Sequence, residues 1–168
     1  LVQVNPDTGE AQQFNAPQGP GAWALIKGPD DKIYLGTWDG ALVLRFDPKQ
    51  PEKGLVVVGK PSPTEDYLWQ YDLGKDGKLY ACTYPQAMYA RSLAVGPSGK
   101  VYVAIGYEKG DLVAFDPATG KHRSILPDKL RAPSGATGVS VWRGADGQVY
   151  AQIGGKQARL DGEEVVLV

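Results

Sequence analysis

The sequence predicts an all-β fold, a β-propeller of four-stranded antiparallel blades, on the strength of two repeated turn motifs and the absence of helical periodicity. The first motif occurs four times: Gly28-Pro29-Asp30-Asp31-Lys32-Ile33-Tyr34, Gly74-Lys75-Asp76-Gly77-Lys78-Leu79-Tyr80, Gly96-Pro97-Ser98-Gly99-Lys100-Val101-Tyr102 and Gly144-Ala145-Asp146-Gly147-Gln148-Val149-Tyr150. Glycine, two or three turn formers, Lys or Gln, an aliphatic residue and Tyr describe a tight turn that feeds a strand. The second motif is Asn5-Pro6-Asp7-Thr8-Gly9. It returns within Phe115-Asp116-Pro117-Ala118-Thr119-Gly120-Lys121, and in reduced form at Phe46-Asp47-Pro48 and Leu160-Asp161-Gly162. Its order suits a type I turn followed by a left-handed glycine, which closes a hairpin.

Taken in order, the two turns divide the chain into units of four strands, A to D. The N-terminal residues 1–15 read as half a blade, entering at strand C. Residues 22–59 form a blade with strands at 23–27, 33–38, 42–46 and 55–58. Residues 68–88 carry only strands A (69–73) and B (79–84). Residues 89–127 form a blade with strands at 91–95, 101–105, 112–115 and about 123–126, and 138–168 another at 139–142, 149–153, 157–160 and 165–168. Three to four blades are thus represented, in a single propeller domain or a part of one. The Tyr34–Tyr80 and Tyr102–Tyr150 spacings agree to within two residues, whereas Tyr80–Tyr102 is less than half of either. The C and D strands of the second unit are therefore missing, through an internal deletion or through residues lost between Met88 and Tyr89. The expectation is an incomplete propeller, its other blades lying outside this chain. A blade without its outer hairpin leaves sheet edges that proteins usually cover.

Composition sets the outer limits. With 168 residues the chain can bury a core, and 18 Lys+Arg against 19 Asp+Glu supply no basic excess for a nucleic acid. The 22 Gly and 13 Pro are spread along the chain, as many short strands joined by turns require. Cys82 stands alone within a strand and has no second thiol for a disulfide or a metal. No apolar run reaches the ~18 residues of a membrane span. The start at Leu1, without Met or signal peptide, is that of a mature, trimmed or partial chain, and the compartment stays unassigned, secreted and periplasmic locations being compatible.

The repeats resemble those of bacterial propellers in the pyrroloquinoline-quinone-repeat, NHL and two-component-regulator group. Residues 33–40 (Ile-Tyr-Leu-Gly-Thr-Trp-Asp-Gly) and 112–121 carry the likeness, which covers nearly the whole chain. Trp38-Asp39 closes strand B and occurs once, unlike the dipeptide of WD40 blades. The docking Trp of quinoprotein blades is missing after the Thr-Gly turns, so the resemblance implies no cofactor. It implies a blade architecture that hosts binding scaffolds, sugar lyases, lactonases and hydrolases alike.

In such a fold the A strands line a central channel, and the D–A and B–C connections open on one face. Position within the repeat assigns Trp23, Trp69, Arg91 and Val139 to the mouths of the A strands. It assigns Trp38, Tyr84, Tyr107 and Gly154 to the exits of the B strands. Aromatic planes beside Arg suit a saccharide: rings stack on C–H faces and charge-assisted bonds hold hydroxyls or uronates. The same tryptophans equally suit packing between blades. Candidate acids on the rim are Asp39, Glu65, Asp66 and Glu108. Asp39 also suits its hairpin turn, and the others suit solvated surface. His122, the only histidine, follows the Thr119-Gly120 turn and so belongs on the outer edge. No metal site is expected without a second His or a Cys partner. Two functions follow: a scaffold that binds a saccharide or peptide at the rim, and a polysaccharide lyase or glycoside hydrolase acting on an acidic glycan. The enzyme would draw on Tyr84, Tyr107, Arg91 and a carboxylate.

Overall fold

A computed structural model describes residues 1–18, 21–64, 66–83, 90–106, 110–132 and 138–168. Glu65, Tyr84, Tyr107, Glu108 and the Met88–Tyr89 junction lie outside the described residues. The chain divides into two compact units, Leu1–Leu68 and Trp69–Val168.

In the first unit, β1 (Val2–Val4) and β2 (Ala11–Gln13) form an antiparallel hairpin. Its turn is built as the motif predicts: Gly9 N donates to Asn5 O (2.8 Å), Asp7 N donates to Asn5 Oδ1 (2.9 Å), and Gly9 sits at φ 75°. A four-stranded sheet follows, β3 (Gly21–Lys27), β4 (Ile33–Trp38), β5 (Val43–Phe46) and β6 (Leu55–Gly59), paired in chain order. The hairpin's continuation docks on this sheet through Phe14, whose ring lies 4.5 Å from that of Phe46 in a core shared with Leu35, Leu44 and Leu55.

The unit boundary falls after the first residue of β7 (Leu68–Leu73), which pairs with β8 (Leu79–Thr83) in a sheet of two strands. Two four-stranded sheets follow. One is β9 (Ala90–Val95), β10 (Val101–Ile105), β11 (Asp111–Asp116) and β12 (Lys121–Ser124); the other is β13 (Val139–Arg143), β14 (Val149–Ile153), β15 (Lys156–Asp161) and β16 (Glu164–Leu167). Cys82, Leu93, Val95 and Val101 form the core between the two-stranded sheet and its neighbour. A larger core, including Tyr102, Ala104, Leu112, Val141, Val149 and Ile153, joins the two four-stranded sheets. Strand D of the third repeat starts earlier than its sequence suggests, because Lys121 pairs directly with Asp116 across the Thr119-Gly120 turn.

The repeated Gly–turn–Tyr stretch is a self-closing turn. Gly28, Gly74, Gly96 and Gly144 each donate to the carbonyl of the Lys or Gln four residues on, at 2.8 Å in all four. The fourth position takes a left-handed backbone, at Gly77, Gly99 and Gly147 and at Asp31, the non-glycine (φ 63°). The first glycine is needed because the Tyr ring lies over it: a Cβ on Gly28, Gly96 or Gly144 would come within 2.6, 2.8 or 2.7 Å of that ring. In three repeats the Tyr hydroxyl donates to the turn Asp, from Tyr34 to Asp30, Tyr80 to Asp76 and Tyr150 to Asp146 (3.1, 3.0 and 2.8 Å). The third repeat has Ser98 instead. Its Tyr102 is buried, and the hydroxyl donates to Gly162 O (3.1 Å) on the adjoining sheet.

Side chains also staple the innermost strands of the second unit together. Gln70 on β7 donates to Leu93 O of β9 (3.2 Å), and Asp72 on β7 accepts from Val95 N of β9 (2.6 Å). Ser92 on β9 accepts from Val141 N of β13 (2.8 Å). Inner strands have one edge without a ladder partner, and these bonds satisfy groups that would otherwise be orphaned.

Candidate functional site

The mouth of an A strand is where two of the predicted rim residues acquire their exposure. On β3, Ala22 pairs with Thr37 and Ala24 with Gly36, so Trp23 is the extra residue of a β-bulge and is 54% exposed. On β9, Ser92 pairs with Ala104 and Ala90 with Ile105, which makes Arg91 the extra residue of a second bulge, also exposed. A bulge turns a side chain out of the pleat's alternation and recurs beside functional sites. The corresponding Val139 on β13 stays in regular register with Ile153 and is buried. Sequence spacing placed Trp23, Arg91 and Val139 as equivalents; the backbone separates the first two from the third.

Trp38 closes β4 at the same end of the strand pair as Trp23 and is 38% exposed. Its indole lies over the start of β3, where any Cβ on Gly21 would overlap it. Three consecutive residues after Trp38 take positive φ: Asp39 (63°), Gly40 (96°) and Ala41 (46°). For Asp39 and Ala41 this is a strained conformation, held by its surroundings. Ala41 is fully buried and its N–H donates to Asp66 O (3.0 Å), while Leu42 N donates to the Oγ1 of buried Thr37 (2.9 Å). Trp38 forms an isolated bridge with Tyr67. Asp66, one of the predicted acids, is thereby tied to this turn, and its carboxylate approaches Lys60 Nζ at 4.0 Å.

Trp69 differs from Trp23 and Trp38, the other two tryptophans predicted for the rim: it is half-buried against the core of Cys82, Leu93, Val95 and Val101. The exit of β14 at Gly154 is a two-residue turn with Gly155, both at positive φ (53° and 85°). That is the geometry of a type I′ hairpin, with no side chain to offer a ligand. His122 lies on β12, the outermost strand of its sheet, opposite Phe115. Among the described residues no group of three or more His, Cys, Asp or Glu side chains could hold a metal. Burial pushes the Cys82 thiol up to about 12, so it is not a nucleophile at neutral pH.

No protein-family model and no curated protein matches the chain. Solved structures do. A catalytically inactive histidine-to-alanine variant of virginiamycin B lyase from Staphylococcus aureus, solved with quinupristin, superimposes with a TM-score of 0.71 at 14% identity, over 99% of this chain and 61% of that one. A streptogramin B lyase gives 0.68 at 15% identity, over 99% and 60%. The extracellular domain of the one-component system BT4673 from B. thetaiotaomicron gives 0.66 at 14%, over 91% and 23%. The chain therefore spans less than two thirds of each of these proteins. The likeness is one of fold, and the class it defines is the β-propeller, represented here by consecutive blades of antiparallel strands.

Proposed function

We propose that this chain is a ligand-binding part of a β-propeller, taking a saccharide at the rim where its A strands begin. The observation that carries the reading is the β-bulge that turns out Trp23 beside Trp38 in the first unit; a bulge at the equivalent repeat position of the second unit turns out Arg91 in its own right. An indole face supplies stacking, and a guanidinium supplies forked donors to hydroxyls or a carboxylate. Trp38 and the strained Asp39–Ala41 turn add a second aromatic plane next to the Trp23 bulge. Backbone strain of this kind is retained where the surrounding structure holds it for a purpose.

The enzyme reading, a lyase or hydrolase acting on an acidic glycan, has less support. Virginiamycin B lyase loses activity when a histidine is replaced, whereas the one histidine of this chain is His122 on an outer strand. Glycan-array binding, paired with an absorbance assay for unsaturated uronate, separates the two functions. The proposal expects binding without turnover. It also expects Arg91→Ala and Trp23→Ala each to weaken binding about tenfold or more while the fold is retained. Unchanged binding in both variants removes the rim.

A further inference from the structure

The outer strand of the first four-stranded sheet, β6, is a sheet edge without the usual protection. In each four-stranded sheet the outermost strand has a ladder partner on one side only. Sheets stack through their faces, as the two of the second unit do around Tyr102, Leu112 and Val149, so another blade covers a face and leaves this edge open. Such an edge presents a row of unpaired N–H and C=O groups, which proteins blunt with charge or proline. The other outer strands follow that rule. β12 reads Lys-His-Arg-Ser, β16 opens with Glu164, and the second strand of the N-terminal hairpin reads Ala-Gln-Gln. β6 reads Leu-Val-Val-Val-Gly, with no charged or polar side chain and no proline. Val56, Val57 and Val58 are 43, 37 and 51% exposed. An uncharged run of β-branched residues is the kind of edge that pairs most readily with another strand.

We infer that β6 pairs with β6 of a second copy of this chain, antiparallel across a two-fold axis through Val56. A two-fold contact needs a self-complementary patch, and this strand supplies one. With Val56 opposite its counterpart, Leu55 faces Val57 and Gly54 faces Val58. Leu55 to Val57 is the stretch of β6 in regular register with Phe46, Arg45 and Leu44. Val58 is the extra residue of a bulge, since Gly59 pairs with Val43 and Val57 with Leu44. Across the axis it meets Gly54, which has no side chain to collide with it. Charge favours the same register. Lys60, just past one end of the strand, comes opposite Glu52, just before the other. Both are exposed; Glu52 has no ion-pair partner among the described residues, and Lys60 Nζ reaches Asp66 only at 4.0 Å. The two-fold makes that opposition twice, whereas an axis through Val57 would set Lys60 against Gly54. Pairing uses up this edge on both copies, so the assembly closes as a dimer.

Sedimentation equilibrium of the full chain tests this, from about 10 μM to about 1 mM. The range is high because a five-residue strand is small against the roughly 800 Å² per partner of a standard interface. The mass should rise toward that of a dimer and level there. Val56→Lys, at an exposed position, sets like charges on the axis and should weaken association about tenfold or more, and Val56→Glu should do the same. An equimolar mixture of the two variants should regain association as a heterodimer. Should either variant lose its far-ultraviolet circular dichroism, the charges at the strand ends carry the test. There, Glu52→Lys should weaken association severalfold and Glu52→Lys/Lys60→Glu should restore it, and an unchanged mass in Glu52→Lys overturns the inference. A monomer mass at every concentration also overturns it. So does a dimer that survives Val56→Lys, a mixture of opposite charges that stays monomeric, or a mass that climbs past the dimer without levelling.

Discussion

Asp72→Ala should loosen the inner strands of the second unit by a predictable amount. Asp72 Oδ2 accepts from Val95 N at 2.6 Å and Oδ1 accepts from Leu73 N at 2.8 Å, while the Arg143 guanidinium also pairs with Oδ1. One carboxylate therefore ties β7 to both β9 and β13. Val95 is 3% exposed, so its N–H loses an acceptor where water cannot easily replace it. Leaving such a donor unpaired costs about 1–3 kcal/mol. The Arg143 side chain is 40% exposed, and its ion pair is screened to about 0.5 kcal/mol. The sum is about 1.5–3.5 kcal/mol, which shifts a urea midpoint by about 1–2 M for an m-value near 1.5 kcal/mol/M. Urea titration followed by far-ultraviolet circular dichroism reads it. Arg143→Gln should cost only the smaller part, and the Asp72→Ala/Arg143→Gln double variant should cost little more than Asp72→Ala alone. A loss below about 0.5 kcal/mol for Asp72→Ala would refute the reasoning, since Val95 N would then have another acceptor.

The remaining predictions concern packing and ionisation. Ala104→Gln, introduced where the side chain is fully buried, should destabilise the second unit by on the order of 3 kcal/mol, whereas Gln152→Ala at the equivalent exposed position should stay within about 0.5 kcal/mol. Equal costs in thermal melts would mean that both faces are packed alike. The Tyr150 hydroxyl, followed by the Gln148 N–H, holds the Asp146 carboxyl below its usual range. Stabilisation from that contact is present above the unfolded carboxyl pKa and is lost as pH falls through the depressed folded value. Tyr150→Phe should raise the Asp146 titration midpoint, as followed by carboxyl carbon NMR, and an unmoved midpoint would discard the contact. Cys82 should resist a thiol reagent at pH 8 in the folded chain and react at once in urea, because burial holds its thiol protonated. Prompt reaction without denaturant would show the core to be open.

The blade architecture was legible in the sequence because its turns are chemically demanding. A Tyr ring lying over Gly28, Gly96 or Gly144 admits no side chain there, and left-handed positions such as Gly9 and Gly120 select glycine, so local geometry left its mark on residue type. Counting from those turns also placed Trp23, Arg91 and Val139 at one position of the repeat and set His122 on an outer strand. Tertiary structure decided what that count could not. A bulge is a relation between two strands, and only the pairing of Ala22 with Thr37 and Ala24 with Gly36 shows that Trp23 is turned out while Val139 stays buried. Half-buried Trp69 and exposed Trp38 likewise look alike until their neighbours are known.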